Sequence, residues 1–169
     1  MEERFILPQR LKTISFVLIL IGLVGIIVSF FTHASEEESK RVWANLLLNA
    51  VFFHGIAMAS AFFQAATYVA YGGWHTAIKR IPEAISMFLP FTSALLLLVL
   101  AVPLIIYGHH PLYHWTDSHV VEADPILQAK TAYLNLPFFF SRFAFFVGIL
   151  LLLTMLMRRN SLAEDINGG

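Results

Sequence analysis

Four long apolar segments divide the chain, and shorter polar or aromatic connections separate them. They cover about residues 11–32, 43–71, 82–107 and 136–157. A helix that crosses a bilayer needs roughly 20 mostly apolar residues, and each segment meets that length. The connections are short enough to favour antiparallel neighbouring helices. The pattern therefore predicts an all-α membrane protein in which residues 1–169 form a single antiparallel four-helix transmembrane bundle.

The composition supports a membrane protein and excludes several classes of chemistry. Of the 169 residues, 58% are apolar and 13% are charged, whereas a soluble domain has about 45–50% apolar and about 25% charged residues. The 11 basic and 11 acidic residues cancel, so nothing indicates a nucleic-acid partner. The chain has no cysteine, which excludes disulfides, iron–sulfur ligation and thiol chemistry within it.

The basic residues outside the spans are distributed unequally between the two sides of the predicted bundle. Seven lie on one side: Arg4, Arg10, Lys12, Lys79, Arg80, Arg158 and Arg159. Three lie on the other: Lys40, Arg41 and Lys130. Because cytoplasmic connections carry the excess of Lys and Arg, we expect both termini in the cytoplasm. In a bacterial inner membrane, the connection formed by residues 108–135 would then be periplasmic.

Arg142 places a guanidinium about two turns into the fourth apolar segment. An ionisable side chain inside a span costs at least about 2.5–3.5 kcal/mol on insertion scales, so such residues tend to face the protein interior and to have a role. Arg142 could be a fixed positive charge beside a polar ligand head group or a carboxylate. Its long stem could equally carry the charge outward to the interface. The sequence leaves both interpretations open.

Three further polar residues in or next to the spans need an explanation. His54 is the only histidine well inside a span; a b-type haem would need a second axial histidine at that depth, so we expect no haem here. His54 is either a hydrogen-bonded packing residue or a proton acceptor near a quinol, since imidazole titrates near neutral pH. Glu83, at the start of the third span, is either a carboxylate that stabilises a helix N-terminus or a proton acceptor. Gln64 is its nearest polar neighbour by depth.

Four histidines crowd the connection between the third and fourth spans: His109, His110, His114 and His119. Their spacing matches no metal signature, so we expect no metal site. The aromatic residues Tyr113, Trp115 and Tyr133 are typical of the belt at the level of the lipid headgroups. Nothing in the chain supplies a nucleophile–base pair or a phosphate-binding glycine loop.

Three stretches together resemble a known family. They are residues 79–90 (KRIPEAISMFLP), residues 112–117 (LYHWTD), and residues 133–142 (YLNLPFFFSR) with the later 158–162 (RRNSL). They are similar to the N-terminal part of the ActF-type integral membrane subunit of bacterial alternative complex III. That complex is a quinol:cytochrome c oxidoreductase, and its membrane subunits are related to the NrfD and polysulfide-reductase membrane anchors. We accordingly expect the chain to be the N-terminal bundle of a longer subunit.

The resemblance implies a subunit of an oxidoreductase complex that binds no redox centre of its own. Electrons from menaquinol or ubiquinol would pass to iron–sulfur clusters and haem c in partner subunits, beside a sister NrfD-like membrane subunit. The resemblance implies that partners dock on His114, Trp115, Asp117 and Tyr133. We expect a quinone site or a proton path among His54, Gln64, Glu83, Asn135 and Arg142, and the resemblance itself points to His54 and Arg142.

Two other functions fit the same residues. In a small transporter or ion channel, Glu83, Gln64, His54 and Arg142 would line a continuous pore. In a purely structural membrane anchor, the same side chains would serve assembly alone. Both alternatives keep the bundle and differ from the resemblance in what passes through or binds to it.

Overall fold

The computed structural model describes residues 8–32 and 36–167, and within them it is helical with no strand. The α-helices are α1 (Gln9–Thr32), α2 (Glu36–Val69), α3 (Arg80–Ser86), α4 (Leu89–Tyr107), α5 (Ser118–Ala123), α6 (Pro125–Ala129) and α7 (Leu136–Asn167). The chain divides into two compact units, Met1–Val42 and Trp43–Gly169.

Four helical stretches are long and apolar enough to cross a membrane, as the hydropathy pattern predicts. They are Gln9–Thr32, Ser39–Val69, Arg80–Tyr107 and Leu136–Asp165. Two helices extend beyond the predicted limits, since α2 begins at Glu36 and α7 continues to Asn167. The added segments are rich in Glu, Lys, Arg, Leu and Ala, which favour a helix in water as well. Of the cations used to predict the orientation, Arg4 lies outside the described residues.

The first unit contains α1, which is apolar around its whole circumference. It buries no side chain, and Phe16, Leu18 and Ile21 are each more than 60% exposed. A helix that is apolar on every side is stable only inside a protein or in lipid. The composition of α1 therefore supports its assignment as a membrane span.

In the second unit, the buried face of α2 repeats every seven residues. Trp43, Ala50, Ala57 and Gln64 are all buried. A seven-residue repeat is the spacing that keeps one seam of a helix against a neighbour. Small residues on that seam allow helix backbones to approach closely in lipid, where apolar side chains gain little by leaving the solvent. Ala50 and Ala57 meet that packing requirement, whereas Gln64 brings a polar group into the seam.

The third predicted span consists of two helices. Met87 and Phe88 separate α3 from α4. Pro90 explains the interruption, because it has no N–H to donate to the carbonyl of Ser86 four residues earlier. At the other end, α4 finishes at Gly108, whose φ of 77° is left-handed and whose N–H donates to the Leu104 carbonyl at 3.1 Å. Glycine adopts this conformation without the steric cost of a Cβ atom.

Residues 108–135, which we call the cap, are folded. The cap contains a short 3₁₀ helix at His114–Thr116, followed by α5 and α6. Aspartates cap both short helices: Asp117 accepts a hydrogen bond from the His119 N–H at 3.0 Å, and Asp124 accepts one from the Ile126 N–H at 2.8 Å. Such side-chain caps satisfy N–H groups that a helix start leaves unpaired. The cap is thereby held by local hydrogen bonds.

Candidate functional site

Arg142 lies at the junction between α7 and the cap. Its guanidinium carbon is 3.7 Å from the centroid of the Tyr133 ring and 4.5 Å from that of Phe138. Its Nη2 donates to the Tyr133 carbonyl and its Nε to the Phe138 carbonyl, each at 3.3 Å. Aromatic faces and carbonyl oxygens both attract a cation. The guanidinium is thus directed toward the cap end of α7, where groups of the chain itself surround it.

Asn135 is committed to the start of α7. Its Oδ1 accepts from the Phe138 N–H at 2.9 Å, and its Nδ2 donates to the Thr131 and Ala132 carbonyls at 3.0 and 3.1 Å. These bonds close the turn that leads into the helix. The side-chain amide of Asn135 therefore acts as an N-terminal cap, a role worth about 1 kcal/mol in helices generally.

His54 is half-buried on α2 and faces two hydroxyl groups of α4. Its Nδ1 lies 3.3 Å from Thr92 Oγ1 and 3.5 Å from Ser93 Oγ. Thr92 also lines an apolar groove of about 570 Å³ between α2, α3 and α4, together with Phe53, Ile56, Ala57, Ala84, Ile85, Phe88, Phe91 and Leu95. The groove therefore has hydrocarbon walls and, at Thr92, a hydroxyl next to an imidazole.

Gln64 and Glu83, which the sequence places at a similar depth, are connected through Ser86. Gln64 Nε2 donates to Ser86 Oγ at 2.9 Å, and Ser86 Oγ donates to the Glu83 backbone carbonyl at 2.9 Å. The Glu83 carboxylate is buried and accepts from Arg80 Nη1 at 2.6 Å. Glu83 also lies in the first turn of α3, where a carboxylate stabilises the helix dipole. The Glu83 carboxylate therefore both pairs with Arg80 and stabilises the N-terminus of α3.

A network of ion pairs extends from Glu83 to the end of α7. Arg80 also pairs with Asp165, and Lys79 Nζ is 2.9 Å from Asp165 Oδ1 and 3.9 Å from Glu164 Oε2. The apolar pattern of the sequence does not predict this network. The sequence does contain a sign of it, because the cations at 79–80 and the carboxylates at 164–165 were expected on the same side of the bundle. What was missing was that α7 continues past residue 157 as a helix.

The predicted quinone and proton residues lie in three separate places. Gln64 follows His54 by ten residues on α2, which is about 15 Å along the axis. Arg142 hydrogen-bonds to backbone carbonyls near the cap. Within the described residues, no hydrogen bond joins the His54, Gln64–Glu83 and Arg142 groups to one another. Any transfer of protons between them would need bound water or movement.

The four residues expected to dock partners differ in how far their side chains are exposed. His114 is exposed and Tyr133 is 58% exposed. Trp115 packs inward, with its ring centroid 5.3 Å from that of Phe139, and Asp117 caps α5. A partner that covers the cap would therefore meet His114 and the Tyr133 ring first, while Trp115 and Asp117 maintain the shape beneath.

His110 is the buried histidine of the cap and was not singled out by the sequence. It is 2% exposed; its backbone N–H donates to Thr116 Oγ1 at 2.8 Å, and its ring Nδ1 accepts from the Leu112 backbone N–H at 3.2 Å. Burial lowers the pKa of His110; the Val99 carbonyl opposes that change and the neighbouring His109 adds to it. Burial likewise raises the pKa of the adjacent Tyr113. The lowered pKa favours a neutral imidazole, whose Nδ1 accepts the Leu112 N–H inside the cap.

The described part of the chain contains no group of three His, Asp or Glu residues placed to hold a metal ion. The four long apolar helices are consistent with a multi-pass membrane protein. Comparisons with protein-family models, with curated proteins and with solved structures find no match to this chain.

Proposed function

We propose that this chain is a membrane subunit of a respiratory quinol:cytochrome c oxidoreductase, and that its cap docks the iron–sulfur and multihaem cytochrome c subunits. The observation that carries the proposal is that the cap is folded and is held by hydrogen bonds between its own residues. Its inner side packs on α7 through Trp115 and Phe139, while His114 and Tyr133 remain exposed. The short capped helices and the buried His110 give the cap a defined surface for a partner to contact.

The antiparallel bundle that this function requires is supported by the order of contacts between helices. His54 lies beside Thr92, whereas Gln64, farther along α2, bonds to Ser86, which comes earlier in the chain than Thr92. Chain positions thus rise on α2 as they fall on α3 and α4. In the proposed orientation, both termini are cytoplasmic and the cap is on the periplasmic side of a bacterial inner membrane.

The groove beside His54 supports a contribution to a quinone site. Its volume of about 570 Å³ lies within the range of about 300–1,000 Å³ usual for small-molecule pockets. Menaquinol and ubiquinol combine a long apolar tail with a head group that carries two hydroxyls. The tail would lie along Phe53, Phe88 and Leu95, and a head-group hydroxyl would donate to His54 or Thr92. His54 would then accept a proton as the quinol is oxidised.

Purification from native membranes tests the docking proposal. A tagged chain, extracted in mild detergent, should co-elute with c-type haem. The haem is detected by the absorbance bands that it shows after chemical reduction. The exposed His114 offers a variant, His114→Glu, which should lower the haem recovered per chain because it places an unpaired charge in the interface. Asn160→Glu, an exposed change near the other end of α7, is the matched control and should leave haem recovery unchanged. Isolation of a stable, haem-free homo-oligomer would contradict the proposal.

Quinol turnover by the assembled complex tests the groove separately. His54→Phe and Ile56→Trp should lower turnover while haem recovery stays normal, because one removes the proton acceptor and the other fills the groove. Val51→Trp, at an exposed apolar position on the same helix and outside the groove lining, is the control. Normal turnover in both groove variants would remove the quinone site from this chain and leave docking intact.

A further inference from the structure

Two adjoining cavities lie where the later part of α7 passes α3. One, of about 350 Å³, is lined by Met87, Met155, Arg158, Arg159, Leu162 and Ala163. The other, of about 260 Å³, is lined by Arg80, Glu83, Ala84, Met87, Arg158 and Leu162. Met87, Arg158 and Leu162 line both cavities, so the two are neighbours, and we call them together the arginine groove.

Four cations and three carboxylates lie around the arginine groove, which leaves one net positive charge. Arg80 is paired with Glu83 and Asp165, and Lys79 is paired with Asp165 and Glu164. Arg158 and Arg159 are exposed, and within the described residues neither has an ion-pair partner. The three carboxylates near the groove are thus already opposed by cations. The groove is therefore positive where Arg158 and Arg159 line it.

The arginine groove also lies at a defined depth. The apolar part of α7, residues 136–157, is about 33 Å long at 1.5 Å per residue, close to the roughly 30 Å hydrocarbon core of a bilayer. Arg158 and Arg159 follow it directly and so reach the level of the lipid headgroups. Met155 and Met87 line the groove with apolar surface at the hydrocarbon side. The arginine groove thus has an apolar floor and a cationic rim at the membrane boundary.

We propose that the arginine groove binds one anionic phospholipid, with the phosphate held by Arg158 and Arg159 and an acyl chain lying over Met87 and Met155. Guanidinium groups bind phosphate oxygens through paired, charge-assisted hydrogen bonds. Basic pockets between membrane helices are places where anionic headgroups bind. A zwitterionic lipid carries no net charge, so the two guanidinium groups would attract it less strongly. The proposal does not depend on the proposed respiratory function.

Native mass spectrometry of the purified chain tests the proposal. The probes are phosphatidylglycerol and phosphatidylcholine with identical acyl chains, titrated against the detergent-solubilised protein. We expect one phosphatidylglycerol to be retained in preference to phosphatidylcholine. At about 1 kcal/mol for each basic residue near the membrane surface, Arg158→Gln should weaken retention about fivefold, and Arg158→Gln with Arg159→Gln about thirtyfold. Ala163→Trp, which fills the groove from its exposed edge, should also abolish preferential retention.

Two controls distinguish this site from general attraction of anions. Lys130→Gln removes an exposed cation from the end of α6 and should leave retention unchanged. Inorganic phosphate at the same concentration should not displace the lipid, because it cannot occupy the apolar floor. Equal retention of the two lipids, an unchanged preference in the double arginine variant, or displacement by inorganic phosphate would each overturn the proposal. A circular dichroism spectrum confirms that each variant is folded before it is titrated.

Discussion

The guanidinium of Arg142 lies 3.7 Å above the ring of Tyr133, the residue whose carbonyl it also binds. The two residues are nine positions apart, one in α7 and the other in the cap. The only ionisable group inside the fourth apolar segment is therefore used to join that helix to the connection before it. An aromatic face and backbone carbonyls both stabilise the cation there.

Removing this contact should weaken the attachment of the cap. Because Tyr133 is 58% exposed, Tyr133→Leu should lower the free energy of unfolding by about 0.5–1 kcal/mol, the range for a cation–π pair at an exposed site. Tyr133→Phe keeps the ring and should have little effect. Unfolding in mixed micelles, followed by tryptophan fluorescence, measures both. Equal losses in the two variants would show that the phenol hydroxyl, and not the ring face, is what matters.

The carboxylate of Glu83 should matter more than that of Glu164, although both belong to one network. Glu83 is 6% exposed and 2.6 Å from Arg80, so Glu83→Gln leaves a charged partner beside a buried neutral amide. Because the Arg80 side chain is 46% exposed and keeps Asp165, we expect a loss of about 1–2 kcal/mol in unfolding free energy. Glu164→Gln, at 3.9 Å from Lys79 and exposed, should change it by less than about 0.5 kcal/mol. The reverse ranking would contradict this view of the network.

The stability of the cap should fall as the solution becomes acidic. Burial lowers the pKa of His110 below its ordinary value of 6.5, so the unfolded chain binds a proton at a higher pH than the folded one. The contribution of His110 is fully present above pH 6.5 and is lost as pH falls from there to the pKa of the folded state. His110→Asn keeps an acceptor for the Leu112 N–H and removes the titration. The pH dependence of the unfolding midpoint should be steeper in the wild type than in this variant; identical profiles would exclude His110 as a cause.

The left-handed turn after α4 should tolerate only glycine well. Gly108 has a φ of 77°, and a Cβ added there would meet no atom within 4 Å. The cost of Gly108→Ala is therefore conformational, about 1–2 kcal/mol for an L-residue in this region. Gly148→Ala, inside α7 and also without close neighbours, is the control and should not destabilise the protein. Thermal unfolding in detergent compares the two; equal midpoints would contradict the assignment of strain to Gly108.

The sequence predicts the four apolar helices well because a bilayer sets their length and hydropathy directly. It does not predict where α7 ends, since residues after 157 become polar, whereas in the structure the helix continues to Asn167 and its end pairs with Lys79 and Arg80. It also misses the interruption at Met87 and Phe88, although Pro90 provided a physical reason for one.

The side-chain environments in the candidate site required the structure for a different reason. Sequence treats His109, His110, His114 and His119 alike, whereas burial and hydrogen bonds to Leu112 and Thr116 distinguish His110. The sequence left two interpretations of Arg142, which differ only in the direction of its long side chain. Its contacts with Tyr133 show that the side chain points toward the cap. The expected proximity of Gln64 to Glu83 is present, but through Ser86, whose part no spacing rule indicates.

The docking of a cytochrome on the cap is the claim on which the proposed function depends most. A photo-reactive amino acid incorporated in place of His114 should, on illumination of intact membranes, give an adduct that stains for covalently bound haem. The same residue placed at Asn160 should give none. Haem-stained adducts from position 114 alone are the predicted result. Adducts with no haem at position 114, together with a haem-free purified oligomer, would contradict the account.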